Sequence, residues 1–145
     1  ATAGNVDKDT LFQESDIVSI HLRLSDRTRG LVAARELELM KQTAYLVNIS
    51  RGPIVAEADL IDALRRGSIA GAALDTFDVE PLSSEHPLLQ LPNVLATPHI
   101  GYVTQEAYQA FYQGVIEDIR GYMAGEPIRV INPDVLSSPR LRTPA

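Results

Sequence analysis

Four polar side chains stand just after short apolar runs, and one of them, His99, could act as an acid or a base. The other three are His21, Arg51 and Asp75, and Glu80 lies close behind Asp75 in the same loop. An imidazole exchanges protons near neutral pH, which is the property that a general acid or base needs. Taken singly, each residue also has an ordinary interpretation, as a structural histidine or a solvated loop charge. Their shared position favours a common site.

The apolar runs that precede these side chains predict the strands of a parallel sheet. They cover residues 17–20, 44–49, 69–74 and 94–96. Helical patterns or long loops separate them, an alternation that is typical of α/β folds with right-handed crossovers. In such a sheet ligands bind beyond the carboxyl ends of the strands. The polar positions would therefore lie together at the binding edge.

Helical spacing of apolar residues predicts four helices, over residues 11–14, 31–40, 57–66 and 105–124. Asp9 or Thr10 would cap the first and Thr104 the last, because their side-chain oxygens can accept a bond from a free backbone N–H. Gly67 is expected to end the third helix, because glycine readily adopts the left-handed backbone conformation that follows many helices. Residues 128–131 could add a short strand.

The helix predicted over residues 105–124 carries a broad apolar face. Apolar residues recur along it at three- and four-residue spacing, at Ala107, Tyr108, Phe111, Tyr112, Val115, Ile116, Ile119, Tyr122 and Met123. The favoured interpretation is a core helix packed on its own sheet. An interface for another molecule is the alternative.

Composition limits the classes of protein to consider. The chain has 145 residues, of which 45% are hydrophobic and 22% charged, as is typical of a globular domain. Its net charge of −6 argues against non-specific binding to nucleic acid or membranes. The absence of cysteine excludes disulfides and thiolate metal ligands, and we expect no metal site. No apolar run is long enough to cross a bilayer, and we expect a cytoplasmic protein.

Three motifs resemble the ordered signatures of the D-isomer-specific 2-hydroxyacid dehydrogenases. They are VNISRG at residues 47–52, ALDTFDVEP at 73–81 and TPHIG at 97–101, and HLRLS at 21–25 with Thr28 is similar to an earlier motif of the family. The resemblance covers roughly residues 11–132, in the correct order. It implies a Rossmann-type dinucleotide-binding domain and an NAD-dependent interconversion of a D-2-hydroxy acid and a 2-keto acid. We also expect a homodimer.

The resemblance implies roles for individual residues. Arg51 would hold the substrate carboxylate with its planar fork, His99 would donate a proton to the keto oxygen, and Glu80 would bond the other ring nitrogen. A carboxylate partner favours the charged imidazole, which suits a proton donor. Asp75 would lie near the nicotinamide carboxamide. The whole NAD-binding set would comprise His21, Leu22, Arg23, Thr28, Ile49, Ser50, Arg51, Asp75, His99 and Gly101.

Two residues depart from the family pattern. Arg23 stands where the family usually has proline, and Tyr102 where it has a second glycine. Arg23 could alter the cofactor groove, and Tyr102 could narrow the mouth of the active site.

One part of a complete dinucleotide site is missing from this sequence. It contains no G-x-G-x-x-G turn, whose backbone amides cradle the pyrophosphate, and no acidic residue in the context expected to hold the ribose. The resemblance therefore implies the second, nicotinamide half of the domain over residues 1–132, long helix included, with a flexible tail at 133–145. Because the chain begins at Ala1 and not at methionine, we expect a fragment or a processed product. Alone it should bind NADH weakly or not at all, show no dehydrogenase turnover and self-associate.

A different class of function stays open at this point. Some members of the family serve as NAD-sensing binding proteins, and a half domain could serve only as an assembly module. The joint presence of Arg51, Glu80 and His99 favours the enzyme, because a scaffold has no need of all three.

Overall fold

A four-stranded parallel sheet organises the first part of the chain in the computed structural model, which describes residues 4–137. The strands lie side by side in chain order and are β1 (Ile17–Ile20), β2 (Tyr45–Asn48), β3 (Gly71–Leu74) and β4 (Val94–Ala96). The predicted parallel α/β sheet is therefore confirmed. The chain divides into two compact units, one ending at Gly101 and the other beginning at Tyr102. The boundary placed at residue 132 from the sequence stays a prediction.

Three α-helices accompany the sheet, α1 (Lys8–Glu14), α2 (Ala34–Leu39) and α3 (Glu57–Arg66). The cap predicted for α1 was wrong, because the carboxylate of Asp7, one turn earlier, accepts from the Thr10 N–H at 3.0 Å. The helix predicted over residues 31–40 covers only Ala34–Leu39, since Val32 pairs with Val55 in an isolated parallel bridge before it and Met40 has an extended backbone after it. Helix α3 has its predicted bounds, and Gly67 ends it with a φ of 65°.

The remaining differences from the predicted elements lie at strand ends and after residue 124. Strands β2 and β3 are shorter than the apolar runs that contain them. The strand predicted over residues 128–131 is absent, because Arg129 has a φ of 56° and its guanidinium binds Glu117 and Asp118 instead. Pro133–Ser137 forms a 3₁₀-helix, and the rest of the predicted tail lies outside the described residues.

One face of the sheet forms the core. Val18, Leu46 and Ala72 are in register across the first three strands and are all buried. They belong to one apolar cluster with residues of the helices, among them Phe12, Leu37, Leu60 and Leu64. On the opposite face Ile17, Tyr45 and Leu95 are exposed. The helices α1 to α3 therefore protect one side of the sheet.

The second unit contains α4 (Gln105–Met123), which begins where the sequence predicted. The Thr104 hydroxyl accepts from the Ala107 N–H at 3.1 Å and caps the helix. None of the helix residues is buried, so the predicted core role of its apolar face is not observed. Within residues 4–137, no helix has the length and hydropathy of a membrane span.

The start of α2 contains a buried carboxylate, Glu36, which is 5% exposed. It accepts from Lys8 Nζ at 2.9 Å, from the Ala33 N–H at 3.1 Å and from Arg35 at 3.1 Å. Burial alone would raise the pKa of Glu36, but these hydrogen bonds outweigh it and lower the pKa to about 2.

Replacing Glu36 by glutamine should destabilise the fold at neutral pH. A carboxylate with a lowered folded-state pKa stabilises the protein above its unfolded pKa, and this contribution disappears as the pH falls from about 4.5 towards 2. We expect a loss of roughly 3 kcal/mol at pH 7 and a smaller difference at pH 3. Urea unfolding at both pH values measures this, with the exposed Glu38→Gln as the control. Equal stability losses in the two variants at pH 7 would contradict the assignment.

Candidate active site

A buried asparagine shapes the loop that follows β2. Asn48 is 1% exposed, its Nδ2 donates to the Arg51 carbonyl at 2.9 Å, and its Oδ1 accepts from the Ser50 N–H at 3.1 Å. The Ser50 hydroxyl donates to the Ile20 carbonyl at 2.9 Å and ties the loop to the end of β1. These bonds fix the backbone that carries Arg51. Sequence reasoning gave Asn48 no role, although a polar residue closing an apolar run was a usable signal.

A glycine brings the loops after β2 and β3 into contact. A Cβ atom at Gly52 would lie 2.0 Å from the carbonyl carbon of Phe77 and 2.5 Å from the Asp78 nitrogen. The Phe77 N–H in turn donates to Glu80 Oε1 at 2.9 Å. The backbones that carry Arg51 and Glu80 are therefore placed by the same close approach, which only a residue without a side chain permits.

Asp75, at the end of β3, holds the turn that carries His99. It is 5% exposed and accepts from the Thr97 hydroxyl at 2.5 Å, the Ile100 N–H at 2.9 Å and the Gly101 N–H at 2.8 Å. Burial would raise the pKa of Asp75, but these bonds and the charge of His99 lower it. Within the turn His99 has a φ of 56°, an uncommon left-handed backbone. Thr97 was predicted only to end the strand.

His99 and Glu80 form a hydrogen-bonded pair, with 2.8 Å between Nδ1 and Oε2. Burial would raise the pKa of Glu80, but hydrogen bonds from His99 and from the Phe77 N–H, with the nearby charge of Arg51, lower it. An ionised carboxylate only accepts, so Nδ1 carries the proton of this bond. The expected contact between Glu80 and the imidazole is present, and its catalytic role stays a prediction.

The ends of β1 and β2 enclose a groove of about 480 Å³. Seven residues line it, namely His21, Leu22, Arg23, Leu24, Ile49, Ser50 and Arg51. Six of these were predicted to bind the cofactor. Thr28, also predicted, does not line the groove and instead holds its wall, since its hydroxyl donates to the Arg23 carbonyl at 2.8 Å.

A second, mainly apolar cavity of about 550 Å³ includes His99 and Glu80 in its lining. Phe77, Leu82 and Leu89 contribute apolar walls. Both cavities fall within the usual size range of small-molecule sites. Among residues 4–137, no group of three or more potential metal ligands lies together.

Comparison with known proteins identifies the family of this site. Residues 1–101 match the model of the family described as D-isomer specific 2-hydroxyacid dehydrogenase, NAD binding domain. The chain belongs to this family. The resemblance found in the sequence is confirmed, as are the Rossmann-type fold and NAD as the cofactor that the family's domain binds.

Relatives of this dehydrogenase domain are longer oxidoreductases. A glyoxylate reductase from Thermofilum pendens is 45% identical over 131 residues, which are 90% of this chain and 39% of that protein. A D-3-phosphoglycerate dehydrogenase from Archaeoglobus fulgidus is 42% identical over 124 residues, 86% of this chain and 24% of that protein. The NAD-complexed structure of a D-isomer specific 2-hydroxyacid dehydrogenase from Lactobacillus delbrueckii ssp. bulgaricus gives a TM-score of 0.76 at 34% identity, covering 88% of this chain and 43% of that one. The chain spans less than half the length of each of these proteins.

The groove between the ends of β1 and β2 is lined by apolar and positively charged side chains. Leu22, Leu24 and Ile49 are apolar, and Arg23 and Arg51 carry positive charge. This lining fits the ribose and phosphate of a nicotinamide nucleotide, because a guanidinium pairs with phosphate oxygens.

Proposed function

We propose that the protein is an NAD-dependent oxidoreductase that interconverts a D-2-hydroxy acid and a 2-keto acid, and that this chain supplies the nicotinamide side of the site. The observation that carries the proposal is the 2.8 Å hydrogen bond between His99 and Glu80 at the carboxyl edge of the sheet. The names of relatives, glyoxylate reductase and D-3-phosphoglycerate dehydrogenase, support a small hydroxy or keto acid as substrate.

His99 is the proton donor in the proposed reduction. Because Nδ1 is bonded to Glu80, Nε2 is the ring nitrogen that would give its proton to the keto oxygen and take it back during oxidation. The ionised carboxylate of Glu80 stabilises the positive charge that the ring carries before the transfer. Bound NAD would supply or accept the hydride.

Arg51 holds the substrate carboxylate in this proposal. Its Nη1 donates to the Ser50 carbonyl at 2.6 Å, a contact that uses one of the five guanidinium N–H groups and orients the others. A fixed fork binds both carboxylate oxygens and places the keto group relative to His99. Asp75 and Gly101 complete the site by setting the turn beside the nicotinamide.

Replacing Arg51 by lysine should weaken substrate binding much more than NADH binding. Lysine keeps the charge and loses the planar fork, so KM for the keto acid should rise by about tenfold or more. Steady-state kinetics of the full-length protein and an NADH fluorescence titration give the two values. Equal losses in both would mean that Arg51 serves the cofactor or the fold.

The proposal is tested directly by assaying the full-length protein with NADH and with glyoxylate or hydroxypyruvate, which the names of relatives suggest. The alternative, a non-catalytic NAD-sensing or assembly module, would bind NADH without turning over any 2-keto acid. The homodimer and the cytoplasmic location stay predictions.

A further inference from the structure

Arg23 lies on the wall of the groove between β1 and β2 without a partner of its own. Within residues 4–137, its guanidinium takes part in no ion pair or hydrogen bond, and the side chain is exposed. None of the described residues that line the groove is acidic, whereas two arginines and His21 do line it. In a chain with a net charge of −6, this opening is a local concentration of positive charge.

The backbone beneath Arg23 is held firmly. Thr28 Oγ1 donates to the Arg23 carbonyl at 2.8 Å and accepts from the Ser25 N–H at 2.8 Å, which closes the loop on itself. At the far end of the loop, the Gly30 N–H donates to the Pro53 carbonyl at 2.8 Å. An unpaired cation on a fixed backbone is preorganised for an anionic ligand.

We propose that Arg23 binds the phosphate of the nicotinamide nucleotide and thereby adds a cofactor contact on this chain. The inference rests on the NAD binding described under the proposed function and concerns a different end of the ligand from the reacting ring. A guanidinium forms charge-assisted, often bidentate bonds with phosphate oxygens. Proline, which the family usually has at this position, has no such group.

The position of Arg23 in the sheet favours the cofactor phosphate over a second acidic group of the substrate. Glu80 and His99, the proposed acid–base pair, follow β3 and β4, and Arg51 follows β2, between that pair and Arg23. Arg23 follows β1, the opposite edge strand. A nucleotide whose ring lies by Asp75 at the end of β3 would have its ribose and phosphate on the β1 side.

The experiment compares two ligands that differ only in the phosphate. The isotope-labelled full-length protein is titrated with reduced nicotinamide mononucleotide and with reduced nicotinamide riboside at constant ionic strength, and amide shifts give both dissociation constants. The control variant is Arg27→Gln, because Arg27 belongs to the same loop and does not line the groove. The test variant is Arg23→Gln, an exposed change that leaves the bonds of Thr28 to the backbone intact.

The unaltered full-length protein should bind the mononucleotide about tenfold more tightly than the riboside, because one charge-assisted contact contributes about that much. Arg23→Gln should bring the two affinities close together and leave riboside binding unchanged, while Arg27→Gln should keep the tenfold difference. The proposal is overturned by an unchanged affinity ratio in Arg23→Gln, by equal losses in the two variants, or by a mononucleotide that does not bind the unaltered full-length protein.

A second pair of ligands distinguishes the two possible sources of the anion. Tartronate carries one carboxylate more than glycolate, so their affinity ratio reports a second acidic group of the substrate. If Arg23→Gln changes this ratio and not the ratio of the nucleotides, Arg23 serves the substrate and the proposal is wrong. These readouts measure binding, so they stand even if His99 proves dispensable for turnover.

Discussion

Turnover by the full-length protein should fall about a hundredfold or more when His99 is replaced by glutamine, the scale of losing a general acid. The glutamine amide can still donate to Glu80 but has no proton to give to a keto oxygen. The measurement is kcat for keto-acid reduction at saturating NADH. The dissociation constant for NADH, from a fluorescence titration, separates a loss of proton transfer from a loss of cofactor binding.

Glu80→Gln is the companion variant, because in the proposed reaction Glu80 acts through its hydrogen bond to His99. Without the carboxylate the neutral imidazole is favoured, so the acid limb of the pH profile for hydroxy-acid oxidation should move to lower pH. A merely structural role would reduce activity at every pH alike. Full activity of the His99→Gln variant would refute the assignment of the proton donor.

Gly52→Ala should be the most damaging glycine-to-alanine change among residues 4–137. The new Cβ would lie 2.0 Å from the carbonyl carbon and 2.3 Å from the carbonyl oxygen of Phe77, and backbone cannot move aside as a side-chain end can. We expect a loss of about 3 kcal/mol or more in unfolding free energy. Because the same loops carry Arg51 and Glu80, any folded fraction should also lose activity. Chemical denaturation and the assay measure the two effects.

The matched control is Gly114→Ala within α4, where a Cβ meets nothing within 4 Å. Alanine favours the interior of a helix over glycine by roughly 0.5–1 kcal/mol, so this variant should be as stable as the unaltered chain or more so. The two substitutions are chemically identical and should have effects of opposite sign. Similar stability of both variants would show that the loops after β2 and β3 separate easily.

Sequence reasoning located the sheet and the meeting of the Asp75 and His99 motifs because both follow from local patterns. Apolar runs that end at polar, glycine or proline residues identified all four strands. The spacing of apolar residues, together with Gly67, predicted the correct first and last residues of α3. Since parallel strands end at one edge, the motifs that contain Asp75 and His99 had to meet there. The contact between Glu80 and His99 followed from the resemblance.

The features that sequence reasoning missed depend on contacts between distant parts of the chain. Nothing in the sequence around Asp75 indicates that its carboxylate accepts hydrogen bonds from the Ile100 and Gly101 N–H groups, which lie much later in the chain. The guanidinium of Arg129 binds Glu117 and Asp118 of α4. Its backbone has a φ of 56° and is therefore not the extended strand that was predicted. Periodicity showed that α4 has an apolar face and could not show whether anything covers it.

The hydrogen bonds that hold the turn around His99 should slow the opening of that turn. Its amides at Ile100 and Gly101 donate to Asp75, so their hydrogens should exchange slowly with deuterium although the segment is a loop. The entropy of ordering this turn is then lost once, when the chain folds, and not again each time a ligand binds. Slow exchange at these two amides before any ligand binds would be the visible trace of that early ordering.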